Sequence, residues 1–127
     1  MPGKKLLVVD DDPSVLKFVA KVAASMEYDL VSCGDGLDAL LAFGDGSSID
    51  ALVTDIKMPG VTGFQLAQSL REKRPELPVL FISGYFEAAE VPEELGAVPG
   101  THLLAKPFSP QKLGQALLLL FASAGLP

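Results

Sequence analysis

Five residues with ionisable or hydroxyl side chains each follow a short apolar run of the chain: Asp10, Asp11, Asp55, Ser83 and Lys106. The apolar runs occupy 6–9, 51–54, 79–82 and 101–105. If these runs form parallel strands, their carboxyl ends meet along one edge of a sheet, which is where open α/β folds place their chemistry. Carboxylates, a hydroxyl and an ammonium group gathered there form a set suited to phosphoryl transfer, with one carboxylate as the acceptor.

The carboxylates of this set indicate a site for a hard divalent cation. Asp10 and Asp11 are adjacent, and Asp55 lies beside them if the first and third runs are neighbouring strands. Carboxylates packed this closely repel one another unless a cation is present. Oxygen ligands favour Mg²⁺, with Mn²⁺ as a substitute, over zinc. We assign Asp12 to helix capping. For Asp55, a role in the turn that contains Pro59 is the competing interpretation.

Lys106 and Ser83 make the set more specific than its carboxylates alone. A lysine at the end of a buried strand is costly unless its ammonium group meets anions. A hydroxyl after the fourth strand could donate a hydrogen bond to an oxyanion. The interpretation as a phosphoryl-transfer site therefore depends on the carboxylates, the hydroxyl and the lysine occurring together.

The elements that would position these residues alternate along the chain. Apolar runs predict strands at 5–9, 28–33, 50–54, 78–82 and 101–105. Helix starts are marked by Asp12-Pro13, Asp35, the capping box of Thr62 and Gln65, and Ser109-Pro110. The corresponding helices end near Met26, Gly44, Lys73 and Ala122. This alternation predicts an α/β fold with a doubly wound, five-stranded parallel sheet and helices on both faces.

Two of the predicted helices have particular features. The second helix carries Leu37, Leu40 and Leu41. The fourth, over 85–95, is the weakest prediction because Pro92 falls inside it, and a proline interrupts or delays a helix. Tyr85 is expected either at the rim of the site or packed at the start of this helix.

Composition restricts the class of protein. The chain has 127 residues, 49% hydrophobic and 20% charged, which predicts a single domain over 1–127 without an output domain. No apolar stretch reaches the length of a membrane span, and the residues before the first strand leave no room for a signal peptide. The net charge of −6 argues against direct nucleic-acid binding, and the single cysteine agrees with a reducing compartment. We expect a soluble, cytoplasmic domain that binds neither nucleic acid nor membrane.

Four segments carry a family resemblance. They lie at 6–13, 52–60, 80–84 and 106–108 and contain Asp-Asp-Asp-Pro, Thr-Asp-Ile-Lys-Met-Pro-Gly, Ile-Ser-Gly and Lys-Pro-Phe. As a set they resemble the receiver domain of response regulators in two-component signal transduction, and the resemblance covers essentially the whole chain. It implies a flavodoxin-like sheet with strand order 2-1-3-4-5 and a place in a phosphorelay.

The resemblance implies roles for the acidic residues. Asp55 resembles the aspartate that accepts a phosphoryl group from a histidine kinase or a histidine phosphotransfer protein, so the chain would be a phosphoprotein. Asp10 and Asp11 resemble the acidic pair that holds Mg²⁺, with Asp55 and the backbone carbonyl of Lys57 as further ligands.

The resemblance also implies roles for the hydroxyl and the lysine. Ser83 takes the place of a switch hydroxyl that moves to the phosphoryl oxygen, and Lys106 pairs with the phosphoryl group. The bond from Lys106 to Pro107 is often cis in this family. Such a domain catalyses its own phosphorylation and dephosphorylation and is not an enzyme that acts on a separate substrate.

Three positions depart from the family pattern. Leu103 stands where the family usually has an aromatic switch residue. Pro92 interrupts the fourth helix, which belongs to the usual output surface. Lys57 stands two residues after the acceptor, where its ammonium group either tunes the lifetime of the phosphoryl group or is simply solvated.

Three alternatives fit parts of the sequence. A pseudo-receiver would keep the fold as a protein-interaction module without phosphorylation, although all five site residues are present. Phosphatases of the haloacid dehalogenase type also use an aspartate at a strand end. They require a second aspartate two residues later, and this chain has Lys57 there. The chain could also be the receiver of a hybrid histidine kinase rather than a natural single-domain protein.

The last helix indicates a surface for partners. Leu113, Leu117 and Leu120 share one face, and Leu118 and Leu119 lie outside it. Exposed leucines are common and need no function. In the family, however, the surface of the fourth helix, fifth strand and last helix serves downstream proteins or a homodimer.

Overall fold

The computed structural model describes residues 3–84 and 91–122. Its strands are β1 Lys5–Val9, β2 Asp29–Cys33, β3 Ala51–Asp55, β4 Val79–Ser83 and β5 Thr101–Ala105. Its helices are α1 Pro13–Ser25, α2 Gly36–Phe43, α3 Gly63–Lys73, α4 Glu93–Gly96 and α5 Pro110–Ala122. Over these described ranges, every helix is too short or too polar to cross a membrane.

The strands form one parallel sheet in the order β2-β1-β3-β4-β5, which confirms the predicted fold. Successive residues of a strand point to opposite faces, so Leu6 and Val8 pack against α1 and α5, while Leu7 and Val9 pack against α2 and α3. Strands β3 and β4 are buried along their whole length. Burial on both faces explains why these runs are continuously apolar.

The parallel arrangement gives the sheet two chemically different edges. We call the edge where the strands end, at Asp10, Asp55, Ser83 and Lys106, the carboxyl edge. The opposite edge, where the strands begin, is the amino edge.

Strands β3 and β4 each lie one residue later than predicted. Asp55 pairs with Ile82, and Ser83 pairs with Ala105, so both polar residues belong to the ladders rather than following them. Pro78 was expected to open β4 but precedes it, although its carbonyl accepts from the amide of Leu52 at 2.9 Å. The end of apolar character therefore marked the strand ends one residue too early.

Side-chain caps begin the helices at the predicted positions. Asp12 Oδ1 accepts from the amide two residues on at 2.9 Å, and Asp35 Oδ1 accepts from the amide of Asp38 at 2.8 Å. The capping box at α3 is complete, since Thr62 and Gln65 each accept a hydrogen bond from the backbone amide of the other. These contacts satisfy amides that a helix start leaves without partners.

Helix α2 buries a different face from the one its leucines suggest. Ala39 and Phe43 lie in the core and Leu40 packs against it, whereas Leu37 and Leu41 are exposed. The three leucines span more than one side of the helix, so their spacing does not determine which side meets the sheet.

Helix α4 is short and begins directly after Pro92, as the position of the proline predicted. A proline fits before the first turn because it has no amide to donate within the helix. Residues 85–90 of the predicted span, including Tyr85, lie outside the described residues.

At the amino edge, side chains of α3 and β5 donate to backbone carbonyls. Arg71 is buried and donates from Nε to the carbonyl of Leu77 at 3.1 Å and from Nη1 to that of Leu95 at 3.5 Å. Thr101 Oγ1 donates to the same Leu95 carbonyl at 2.9 Å. The two side chains thereby join α3 and β5 to the end of α4.

Candidate functional site

The sheet brings all five predicted site residues to its carboxyl edge. Asp55 and Ser83 end β3 and β4, and Asp10 and Lys106 directly follow β1 and β5. Asp11 follows in the loop that leads to α1. Because β3 lies between β1 and β4, Asp55 occupies the middle of the group.

Three carboxylates converge at this edge. One oxygen each of Asp10, Asp11 and Asp55 lies within 4.8 Å of the other two. Asp10 and Asp55 are buried and Asp11 is exposed. Burial raises the pKa of both buried carboxyls, because removal from water penalises the charged form. An all-oxygen set of this kind fits a hard divalent cation.

The contacts of Asp10 strengthen this fit. Its Oδ1 accepts from the amide of Asp12 at 2.9 Å, which lowers its pKa but less than burial raises it. Its Oδ2 is buried and has no hydrogen-bond partner. A buried carboxylate oxygen without a hydrogen bond costs free energy, and a cation coordinated at this position would relieve that cost more fully than an ion pair at 3.7 Å.

Lys106 faces two carboxylates at once. Its Nζ lies 3.5 Å from Asp55 Oδ2 and 3.7 Å from Asp10 Oδ2. Two buried carboxylates and exposed Asp11 therefore share one ammonium group, which leaves the site with excess negative charge. The Lys106–Pro107 peptide bond is cis, as the family resemblance implied.

Ser83 places a hydroxyl group at the same edge. The residue is 1% exposed, and its Oγ has no hydrogen-bond partner. By contrast, the neighbouring buried hydroxyl of Thr54 donates to the carbonyl of Asp55 at 2.9 Å. An unpaired buried hydroxyl is uncommon in proteins, and the Oγ of Ser83 is free to donate to a ligand at this edge.

Gly63 is a positioning residue that the sequence interpretation treated only as part of a capping box. A Cβ at Gly63 would lie 2.2 Å from the carbonyl oxygen of Asp55 and 2.9 Å from Ile56 Cα. Its amide donates to the carbonyl of Ile56 at 2.8 Å. A glycine at the first position of α3 therefore lets that helix start against the backbone that carries Asp55.

Three residues named in the sequence analysis lie around the site. The side chain of Lys57 is exposed. Leu103, at the position where the family usually has an aromatic residue, is 43% exposed and pairs in the sheet with Phe81. Asp12 is exposed and acts as the cap of α1, as predicted.

Fold and site together define a class of protein: a flavodoxin-like α/β domain with an acidic site at the carboxyl edge of its sheet. Residues 6–118 match the response regulator receiver domain family. The chain belongs to this family, whose members serve two-component systems.

Individual relatives agree with this assignment. The transcriptional regulatory protein TcrA of Mycobacterium tuberculosis is 29% identical over 98% of this chain and 49% of its own length. The alkaline phosphatase synthesis transcriptional regulatory protein PhoP of Bacillus subtilis is 30% identical over 87% of this chain and 45% of its own. The chain thus spans about half the length of these curated relatives.

A solved structure shows the same architecture. The chemotaxis response regulator CheY4 of Vibrio cholerae superposes with a TM-score of 0.79 and is 29% identical. The match covers 93% of this chain and 98% of that one.

Proposed function

We propose that Asp55 accepts a phosphoryl group from the phosphohistidine of a histidine kinase or a histidine phosphotransfer protein. The observation that carries the proposal is the position of Asp55, whose carboxylate lies with those of Asp10 and Asp11 and 3.5 Å from the ammonium of Lys106. In the transfer, an oxygen of Asp55 forms a bond to phosphorus while the bond from phosphorus to the imidazole nitrogen breaks. The imidazole keeps that electron pair, and an acyl phosphate remains on the chain.

Mg²⁺ is the proposed cofactor, held by Asp10, Asp11, Asp55 and the backbone carbonyl of Lys57. When bound, the cation neutralises charge on the carboxylates and on the transferring phosphoryl oxygens. The oxygen-only donor set and the buried Oδ2 of Asp10, which has no hydrogen bond, support this assignment. Mn²⁺, with the same preference for oxygen, would substitute.

Lys106 and Ser83 would act on the phosphoryl group itself. The ammonium of Lys106 already faces Asp55 and can pair with an added phosphoryl oxygen. The Oγ of Ser83 can donate a hydrogen bond to another. Because Ser83 pairs with Ala105, a shift of Ser83 would reach β5, where Leu103 is exposed to partners.

The wider role follows from this chemistry. The domain would catalyse its own phosphorylation and its own dephosphorylation by water, with no separate substrate to turn over. Phosphorylation would shift an existing conformational equilibrium and thereby change the surface of α4, β5 and α5 that a downstream protein or a second copy binds. It would work in the cytoplasm, without contacting nucleic acid or membrane itself.

Phosphoryl incorporation from acetyl phosphate tests the proposal. We expect labelling of the wild type that requires Mg²⁺ or Mn²⁺ and disappears in Asp55→Asn. The matched control is Asp12→Asn, because Asp12 is a nearby exposed aspartate and asparagine also caps helices well. A folded wild-type chain without labelling would instead favour the pseudo-receiver, in which the acidic residues serve binding.

A further inference from the structure

The outer face of α2 carries two leucines beside the candidate site. Leu37 is 66% exposed and Leu41 is 82% exposed, the two highest values among the exposed large hydrophobic residues of the described chain. They are four residues apart on a helix and therefore lie on the same face. We call them the α2 leucine pair.

A cleft joins Leu37, the first residue of the α2 leucine pair, to Asp11 of the site. It has a volume of about 420 Å³ and is lined by Leu37 together with Asp11, Asp35, Pro59 and Val61. Asp11 is one of the three converging carboxylates. A protein that reaches Asp55 past Asp11 along this cleft would contact Leu37.

The start of α2 is held firmly against the loop that follows Asp55. A Cβ at Gly36 would lie 2.6 Å from Val61 Cβ, so only glycine permits this approach without a shift. Asp35 caps the helix through the amide of Asp38 at 2.8 Å. The position of Leu37 relative to the site is therefore set before any partner binds, which reduces the entropic cost of docking.

Acidic residues lie at the start of α2, next to Leu37, while Lys73 reaches the carbonyl of Gly44 at the other end of the helix. Asp11, Asp35 and Asp38 are all exposed on or beside the start of α2. The net charge of the chain is −6. An apolar centre with an acidic border complements a partner surface that has apolar side chains bordered by lysine or arginine.

We infer that the α2 leucine pair is a docking contact for the protein that donates the phosphoryl group. The donor surface carries the phosphohistidine, apolar side chains that cover Leu37 and Leu41, and basic residues that meet the aspartates. A donor must approach Asp55 itself, whereas a downstream protein need not, and this difference selects the donor as the occupant. The inference rests on the proposed function, since it assumes that Asp55 receives the group from a protein.

The test compares two phosphoryl sources on the double variant Leu37→Gln/Leu41→Gln. The protein source is the histidine kinase of the same organism that labels the wild-type chain fastest, first autophosphorylated with radiolabelled ATP. The small-molecule source is acetyl phosphate, which needs no docking surface. The control variant is Gln68→Ala on α3, an exposed helix position outside both the site and the surface of α4, β5 and α5.

We expect transfer from the kinase at low kinase concentration to fall by about tenfold in the double variant. Saturating kinase should restore most of the rate, because the loss is in binding. Labelling by acetyl phosphate should be unchanged, and Gln68→Ala should behave as the wild type with both sources. Added salt should slow kinase transfer to the wild type, since exposed charges attract the donor.

Other outcomes would overturn the inference. Unchanged phosphoryl transfer from the kinase to the double variant would contradict it. The inference would also fail if acetyl phosphate labels the wild type but no histidine kinase of the organism does. Unchanged transfer together with loss of a wild-type dimer in sedimentation would assign the α2 leucine pair to a second copy of the chain. Absence of acetyl phosphate labelling in the wild type would instead be a failure of the proposed function.

Discussion

The two edges of the sheet differ in how they treat charged side chains. At the amino edge, Arg71 donates to two backbone carbonyls, and Arg74 Nη1 donates to the carbonyls of Gly46 and Ile49. At the carboxyl edge, three carboxylates converge, and an oxygen of Asp10 and the hydroxyl of Ser83 are buried without hydrogen-bond partners.

This difference between the edges separates side chains that stabilise the fold from side chains that are available for a reaction. At the amino edge the guanidinium groups of Arg71 and Arg74 donate to carbonyls of the chain itself, although Nη2 of Arg71 and the hydroxyl of Tyr28 are buried without hydrogen-bond partners. At the carboxyl edge the raised pKa values of two carboxyls show that the folded chain alone does not fully stabilise their charges. Stability should therefore be lost by mutation at the first edge and gained by mutation at the second.

The largest effect on stability is expected at the amino edge. Arg71→Ala should lower the free energy of unfolding by about 2–3 kcal/mol, because it leaves a buried carbonyl without its donor and opens a cavity. Urea denaturation measures the change. Glu72→Ala, an exposed neighbour on α3, is the control and should shift stability by less than about 0.5 kcal/mol. An Arg71→Ala protein as stable as the control would mean that the amino edge is not a structural anchor.

At the carboxyl edge, a mutation is expected to increase stability. Asp55→Asn should raise the free energy of unfolding at pH 7 without divalent cations, because it removes the cost of keeping a charged carboxylate out of water, which exceeds the gain from its attraction to Lys106. The same urea titration, run in a chelator, measures it. A loss of stability comparable with that of Arg71→Ala would remove the distinction between the edges.

Ser83 should separate stability from function. Ser83→Ala should leave stability unchanged or raise it by up to about 1 kcal/mol, because the lost hydroxyl has no partner. Labelling by acetyl phosphate should slow by about tenfold, because a hydrogen bond to a charged oxygen is lost. Ser83→Thr keeps the hydroxyl and should recover the rate. Equal labelling by the serine and alanine proteins would exclude a role for the hydroxyl in transfer.

The smallest expected difference is in the dependence of stability on pH. The pKa values of Asp10 and Asp55 are raised in the folded state from an ordinary 3.8. The folded state therefore holds these protons to higher pH than the unfolded state, and the two groups make stability fall as pH rises from about 4 through the raised values. Asp12 and Asp45, whose pKa values are lowered by hydrogen bonds, act in the opposite direction.

The contribution of Asp55 to the pH dependence of stability can be isolated by comparing the wild type with Asp55→Asn. Unfolding free energies of wild type and Asp55→Asn, measured in chelator from pH 4 to 7, should diverge as pH rises, with the variant becoming relatively more stable. Saturating Mg²⁺ should reduce or reverse the divergence, because the cation stabilises the ionised form in the wild type. Parallel curves in chelator would contradict a raised pKa at Asp55.

Much of the fold could be predicted from local signals. Short apolar runs located the strands, because a strand buried on both faces needs apolar residues along its whole length. Helix caps located most helices, because the first amides of a helix need side-chain acceptors. The strand order came from the family resemblance and was confirmed by the structure. The convergence of Asp10, Asp11 and Asp55 followed from that order.

The features that could not be predicted from the sequence depend on tertiary packing. Arginine is rarely buried, so the burial of Arg71 depends on carbonyls that only the folded chain brings to it. The exposure of Leu37 depends on how α2 sits on the sheet, and the need for Gly63 depends on how closely α3 approaches the carbonyl of Asp55.

The central claim is that Asp55 is the residue that carries the phosphoryl group. After incubation with acetyl phosphate and Mg²⁺, reduction with borohydride converts an aspartyl phosphate to homoserine, which mass spectrometry of peptides can locate. We predict homoserine at position 55 of the wild type and at none of positions 10, 11 or 12. Modification at another aspartate, or none on a folded chain, would contradict the account.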